Sequence, residues 1–431
     1  MRIAILGAGF TGLSAAYYLE KYGHKVTVIE KKGIPGGLAT GFKLKDWNWT
    51  IEKHYHHFFT NDNYAFEFAK EIGHTIIIKR PKTSVYIDNK IYQLDSPFEL
   101  LKFPKLSLIE KIRMAAVLGF LKYNPFWKMF EKTKTTDFLS KKMGTKSYKM
   151  IWEPQLLAKF GNKYKDKISL VWFWARIRKR TAKLAYPEGG FLSFAEKACG
   201  KIYDLGGKII FNTNVIEIEE KQNQILIKTK NKDGEEKLLN FDKIIITLPS
   251  FLFLKLIKKL PYSYKNKFIN FESLGAVNLI LRLKKPFFKD GTYWLSICDN
   301  SSPFTCIVEH TNFMDKKNYN KEHIVYIGKY LSPNHLYFSK NADELLKIYD
   351  SYLKKINANY KSSIINLELF KDPFAQPIIP ENYSEIIPSF YTPFKNIYLA
   401  NIQQVYPWDR GTNYAIELGE KIADIINNET R

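Results

Sequence analysis

A strand–turn–helix–strand pattern over residues 2–37, RIAILGAGFTGLSAAYYLEKYGHKVTVIEKKGIPGG, constrains the fold more than any other stretch of the chain. Arg2–Leu6 is an apolar run without polar alternation, as in a parallel strand buried on both faces. Gly7, Gly9 and Gly12 follow at G-x-G-x-x-G spacing. Ala15, Ala16 and Leu19 carry a helical stripe, Gly23 ends that helix, and Lys25–Ile29 reads as a second strand closed by Glu30. Each part has a physical task. Gly7 makes the tight turn, Gly9 lets the backbone approach a pyrophosphate, and Gly12 lets the helix pack close on the sheet. The positive helix end faces the phosphates, and Glu30 accepts hydrogen bonds from a ribose. A lone glycine triplet is a weak signal. In this order the parts predict dinucleotide binding.

The doublet Gly36-Gly37 follows, then Leu38-Ala39-Thr40. With it the sequence resembles the flavin-containing amine oxidase superfamily, which includes protoporphyrinogen oxidases, phytoene desaturase-type enzymes and monoamine oxidases. The resemblance implies FAD, with the doublet wrapping its pyrophosphate. It implies cofactor contacts from Gly7, Ala8, Gly9, Phe10, Thr11, Gly12, Glu30, Lys31, Gly36, Gly37, Leu38 and Ala39. The commonest family form carries an Arg just after the doublet; Leu38 and Ala39 supply no such charge.

At 431 residues the chain is long enough for two domains. The first strand begins at residue 2, so no signal peptide is expected. The longest apolar run near the middle, residues 114–121, is far below the ~20 residues that span a bilayer. Three scattered cysteines without a C-x-x-C pair argue against a disulfide framework and fit a reducing cytoplasm. A net charge of +23 admits nucleic acid, an anionic membrane surface or an anionic substrate as partner. No nucleic-acid module is recognisable, so no nucleic-acid partner is expected. The lysines are either a solvated surface or a means of attraction to the inner face of a membrane.

Residues 46–62 concentrate His54, His56 and His57 among aromatics. On a strand His54 and His56 share a face and His57 points away. No cysteine or carboxylate cluster completes a ligand set, so no metal is expected, and the resemblance runs this region beneath the flavin ring. Residues 84–88 and 90–94 flank Asp88-Asn89 as a hairpin. Residues 97–129 hold helical pieces apolar on one side and basic on the other. They are either core helices of a substrate domain or a face resting on a membrane. Trp172, Trp174, Arg176 and Arg178 alternate: as a strand they share one face, as a helix the aromatics spread. The arginines between 176 and 180 read either as an exposed basic patch or as an anion clamp.

Residues 186–190, YPEGG, mark the return to the nucleotide domain in the resembling family. A helix, a strand and N-T-x-V follow; Val215 matches the valine whose backbone meets the adenine. A polar hairpin turns at residues 232–234. Thr247 and Pro249 end a buried strand, a feature that the resembling family places beside the cofactor. Residues 250–393 read mostly as strands with a helix near 342–356, and hold no second glycine fingerprint. Near the C-terminus a strand at 396–400 precedes Asn401, where the family usually has acids. Gly411, Thr412, Asn413 and Tyr414 then open a helix, with Thr412 or Asn413 as N-cap. The family aims this helix start at the flavin pyrimidine edge, where the dipole stabilises negative charge.

The expected fold is α/β, a Rossmann-type FAD-binding domain (1–60, 186–250 and 394–431) interleaved with a mixed α+β substrate domain (61–185 and 251–393). The expected function is FAD-dependent oxidation or desaturation. Hydride would pass to flavin N5 from a C–H bond of an apolar or lipid-like small molecule or an amine. His56, Tyr406, Asp409 and Arg410 are catalytic candidates by position. The alternative is a non-redox flavoenzyme resembling UDP-galactopyranose mutase, acting on a nucleotide sugar.

Overall fold

The apolar runs of the glycine-rich unit become the centre of a five-stranded parallel sheet. In the computed structural model, which describes residues 1–429, its order is Lys208–Ile210, Lys25–Ile29, Arg2–Leu6, Lys243–Ile246 and Ile397–Leu399. Ile3 to Leu6 and Ile244 to Ile246 are fully buried, as continuous apolar strands covered on both faces must be. The first helix, Phe10–Lys21, packs against Phe191–Asp204 and against the C-terminal helix Thr412–Asn428. Gly419 makes the second contact close: a Cβ there would run into the backbone of Thr11 and Ala15. Ser14 Oγ donates to the Ile416 carbonyl across the same seam, at 2.8 Å. A three-stranded antiparallel sheet, Thr213–Lys221, Gln224–Asn231 and Glu236–Phe241, leans on the parallel one through Ile218, Ile225 and Ile227. Its second turn is the expected polar hairpin.

The rest of the chain builds a larger seven-stranded sheet. Its order is Ile364–Pro377, Ser273–Leu283, His323–Leu331, Cys306–Glu309, Thr292–Ile297, Lys82–Ile87 and Lys90–Gln93. Every pairing is antiparallel except that of Thr292–Ile297 with Lys82–Ile87. Asp88 and Asn89 both take positive φ, 49° and 59°, as the two-residue hairpin requires. One face of this sheet packs on Ala342–Ile356 and the other looks toward the first helix layer. A helical group including Leu108–Tyr123, Glu153–Tyr164 and Leu170–Lys179 caps one end around its own buried cluster. Residues 170–175 are buried in succession, so this is a helix enclosed all round over its first six residues and not an alternating strand. Residues 53–57 lie outside any strand, which corrects the expected shared face of His54 and His56. The C-terminal helix begins at Thr412 with Gly411 as N-cap, one position before the expected cap. The last two residues of the expected nucleotide domain lie outside the described residues. Among the described residues, no helix is long and apolar enough to cross a membrane.

Candidate functional site

The glycine-rich turn is held by backbone geometry. Gly7 sits at φ 102°, a conformation that favours glycine, and its N–H donates to the Ile29 carbonyl. A Cβ on Gly12 would collide with the Gly7 carbonyl. The second glycine pair closes on the first: Gly36 N–H donates to Ala8 O at 2.8 Å, and a Cβ on Gly37 would lie 3.1 Å from the Gly9 Cα. Glu30 spans both, one oxygen accepting from Ala8 N–H and the other from Lys32 N–H, each at 2.8 Å. Thr247 Oγ1 donates to Leu6 O and stands over Gly7. The cradle a Cβ would fill, with a carboxylate at its rim, fits a dinucleotide pyrophosphate and ribose.

The other expected cofactor residues fall around this centre in different ways. Phe10 is buried against Phe191 and Phe194, and Lys31 is exposed beyond the strand. Thr11 stands at the start of the first helix, and Ala39 is buried in the turn after the doublet. Val215 lies at the bulge where Thr213–Lys221 leaves the parallel sheet, and Pro249 precedes a short helix. The Asn401 side chain is used within the chain: its amide N donates to Leu248 O and Ser250 Oγ, and its oxygen accepts from Gln403 N–H. Gly411 has φ 176°, extended backbone open to any residue. Asn413 Oδ1 accepts from Ala65 N–H, while Asn413 Nδ2 and the Tyr414 hydroxyl are buried without a partner among the described residues. Such orphaned donors at a helix start fit a bound acceptor.

Between the doublet and this helix lies a small recess lined by Leu38, His54, Tyr55, His56, Asn278, Tyr330 and Arg410 among others. His54 bridges Asp372 at 2.8 Å and Asn278 at 2.5 Å, which fixes the loop that presents the other two histidines. Burial lowers the His56 pKa to about 3, helped by the Arg410 charge; burial with Arg180 and Arg176 lowers that of His57 to about 4. Both imidazoles are therefore neutral at physiological pH. Arg410 donates to Gln376 Oε1 at 2.8 Å and to the Tyr330 hydroxyl at 2.5 Å. Asp409 pairs with Arg176 at 3.0 Å and faces Lys159 at 3.8 Å. Burial opposes its charge, but Lys159, Arg176 and Arg410 outweigh burial and hold the carboxyl at about 2.

Of the four catalytic candidates, His56 and Arg410 line the recess, while Asp409 lies outside its lining, paired with Arg176 and Lys159. Tyr406 does not join them: its hydroxyl donates to Glu131 at 2.7 Å, and its ring packs on Trp127 and Tyr383. Trp408 instead stacks between Trp174 and Tyr414, at 5.1 and 5.8 Å, tying the arginine-rich helix to the C-terminal one. Sequence reasoning missed Lys159, Asn278, Tyr330 and Glu52. Asn278 carried a signal, a single amide inside the apolar strand SLGAVNLILRL. So did Glu52, an isolated acid just before the histidines. It is fully buried, accepts from Tyr186 OH and Phe191 N–H, and burial pushes its pKa up to about 7. Lys159 had no local signal. Among the described residues no group of three or more His, Cys, Asp or Glu could hold a metal ion.

The sequence profile described as flavin containing amine oxidoreductase matches residues 10–404. The chain belongs to this family. FAD is thus its cofactor, and by family it is an FAD-dependent oxidoreductase. Cyclohexylamine oxidase from Brevibacterium oxydans IH-35A superposes with a TM-score of 0.75 over 100% of this chain and 99% of its own, at 13% identity. An oxidoreductase from Methanosarcina mazei gives 0.75 over 98% and 100%, at 17% identity. These likenesses establish the family fold. In sequence, coproporphyrinogen III oxidase of Staphylococcus aureus is 25% identical over 293 residues, 58% of this chain and 61% of that protein. An L-amino-acid oxidase of Crotalus adamanteus is 50% identical over 46 residues, 11% of this chain and 9% of that protein. The match thus spans less than two thirds of either relative's length.

Proposed function

We propose that the protein removes hydride from a C–H bond of an apolar or lipid-like small molecule or an amine, as an oxidase or desaturase. The observation that carries this reading is the recess, which reaches Leu38 behind the glycine doublet on one side and Arg410 ahead of the C-terminal helix on the other. FAD, when bound, supplies the hydride acceptor at N5. In this reading Gly7 to Gly12, Glu30, Gly36 to Ala39, Val215, Thr247 and Gly411 to Tyr414 hold it. Asn401 acts through the turn it caps. The chain divides into a cofactor-binding part (1–60, 186–250, 394–431) and a substrate-binding part (61–185, 251–393). His56 lines the reacting space as a neutral group that accepts or donates hydrogen bonds, and Tyr55 and Tyr330 narrow its access to water. Anaerobic mixing of the FAD-loaded protein with amines, polyenes and sugar nucleotides is the test: bleaching of the flavin by an amine or polyene is expected. A colourless protein that binds NADH and no FAD would sink the reading. The basic side chains around the recess favour one second reading, the nucleotide-sugar mutase, and turnover only after prior flavin reduction would select it.

We further infer that the substrate part rests on an anionic membrane surface. Support comes from the outer face of Pro97–Lys102 and Leu108–Tyr123 and the turn that follows. Phe98, Leu108, Ile109, Ile112, Phe126 and Met129 are all exposed there, Ile109 by 79% and Phe126 by 73%. The exposed Lys102, Lys128 and Lys132 lie in the same segment. Contiguous apolar exposure with lysines beside it suits a lipid headgroup boundary, where each lysine contributes about 1 kcal/mol that salt screens. The protein should cosediment with phosphatidylserine vesicles at low salt, and Ile109→Asp with Phe126→Asp should abolish this. Indifference to such vesicles would leave the lysines a solvated surface.

A further inference from the structure

One carboxylate next to the histidine loop has no cation to meet it. Glu52 is fully buried, on the short strand Ile51–Glu52 that leads into that loop. Both its oxygens accept from the Tyr186 hydroxyl at 2.8 Å, and Oε1 also accepts from Phe191 N–H at 2.9 Å. A Cβ on Gly190 would lie 3.2 Å from the same oxygen. The ionisable groups that face Glu52 are the phenols of Tyr186, Tyr293, Tyr319 and Tyr326. Burial first and the Glu52 charge second hold each of them in its neutral form. His310 lies against the Tyr186 ring and bonds to the Tyr319 hydroxyl; burial lowers its pKa to about 3, so it too is neutral. Among the described residues no lysine or arginine pairs with Glu52.

An anion in that place is stabilised by one hydroxyl and one N–H against the whole cost of burial. It therefore stands near balance between its two forms, with its pKa pushed up to about 7. Its neighbours connect this balance to the recess. His54, Tyr55 and His56 follow Glu52 directly in the chain and line the recess. Phe191, whose N–H meets the carboxylate, packs its ring 5.5 Å from that of His56. The Tyr326 hydroxyl donates to the Glu52 carbonyl at 2.6 Å, and its ring lies 6.0 Å from that of Tyr55. Charges separated by packed side chains and little water interact strongly. A hydride delivered to the recess brings one negative charge with it. That charge raises the proton affinity of Glu52, and an ionised Glu52 opposes the delivery by the same amount.

We propose that Glu52 takes up a proton when the flavin is reduced, and so stores the proton that hydride removal frees from the substrate. This rests on the oxidation proposed above. In that reaction the substrate C–H bond breaks and its electron pair leaves with the hydrogen to N5. A neighbouring N–H or C–H bond gives up a proton, its electron pair forms the C=N or C=C bond, and the protein gains one proton on a Glu52 oxygen. The carboxylate becomes neutral as the recess becomes negative, so the buried region keeps its net charge. Glu52 acts through charge and touches no substrate.

The test uses the FAD-loaded protein and measures the midpoint potential of the flavin from about pH 5 to about pH 9 in wild type, Glu52→Gln and Tyr186→Phe. At the acid end wild type and Glu52→Gln should agree, because residue 52 is neutral in both. At the alkaline end reduction of the wild type should be about tenfold less favourable than that of the variant, about 30 mV for a two-electron couple. Tyr186→Phe removes the hydroxyl that stabilises the anion, so its curve should bend at a higher pH than the wild type's. Loosened packing alone would not move that bend. Infrared difference spectra of the wild type near neutral pH should gain a protonated-carboxyl band on reduction, a readout that holds even if Glu52→Gln does not fold. Curves that run parallel across the range, or spectra without that band, overturn the proposal. Wild-type protein that holds no FAD overturns it together with the cofactor assignment. A potential that follows Glu52 in a flavin that no amine or polyene bleaches refutes the oxidation and upholds the proton uptake.

Discussion

The glycine-rich turn and the charged recess lie on either side of the Gly36-Gly37 doublet, yet they are built on opposite principles. The turn is made by absent side chains: backbone approaches backbone at Gly7, Gly9, Gly12 and Gly37, and one carboxylate, Glu30, ties the loops. All of it comes from thirty-odd consecutive residues. The recess is made by side chains drawn from residues 38 to 410, and its geometry depends on charge balance. A cofactor that changes little between relatives suits the first construction. A substrate that changes suits the second, because single substitutions in it alter chemistry without disturbing a backbone.

If that contrast is right, the turn should fail sterically and the recess electrostatically. Gly12→Val should have the largest effect, because the new side chain meets the Gly7 carbonyl in the tightest part of the turn. A loss of more than about 3 kcal/mol is expected, read as a chain that is insoluble or unfolds without cooperativity; a folded, yellow Gly12→Val would break the contrast at its strongest point.

Glu52, buried beside the histidine loop, tests the electrostatic side. Its folded pKa of about 7 lies above the ordinary 4.5, so between these values the folded protein holds a proton that the unfolded chain has released. Stability therefore falls as pH rises through that window, by about 3 kcal/mol in all, and the loss is complete above pH 7. Thermal unfolding of wild type and Glu52→Gln across pH 5 to 8 should show the variant gaining on the wild type as pH rises. Parallel curves would mean that Glu52 is ionised throughout.

Glu30→Ala should come next. It removes two hydrogen bonds that backbone N–H groups donate to the carboxylate, and the proposed ribose contact, so FAD affinity should drop by about 1.5–3 kcal/mol in equilibrium dialysis. Undiminished retention would show that the glycine loops suffice alone. The smallest change is expected from Gly411→Ala: its backbone is extended and a Cβ would meet only the Tyr414 ring, at 3.7 Å. Stability without FAD should stay within about 0.5 kcal/mol, with any deficit confined to FAD binding. A large loss of stability in the apo form would assign Gly411 to the fold and not to the cofactor.

The same contrast explains what could be read from the chain. The first strand–helix–strand unit, the Asp88-Asn89 hairpin, the helix Ala342–Ile356 and the C-terminal helix are encoded by neighbours in sequence, through period, turn residues and caps. Their legibility follows from that locality. Trp172 to Arg178 was ambiguous because the first six residues of this helix are buried in succession, which leaves no helical period to detect there. Tyr406 lay three residues from Asp409 and still points elsewhere, since Glu131 and Trp127 come from a distant segment. Lys159 matters only because the fold sets it beside Asp409, from a helix whose sequence gives no hint of it.

The seam between the first and last helices has a consequence for synthesis. Ser14 and Ile416 are 402 residues apart and share a hydrogen bond. The parallel sheet likewise lacks its outer strand until Ile397–Leu399 has been made. On the ribosome, the first helix therefore emerges long before the surface that buries it. Its apolar face must be shielded by transient collapse or by chaperones until Thr412–Asn428 has been made.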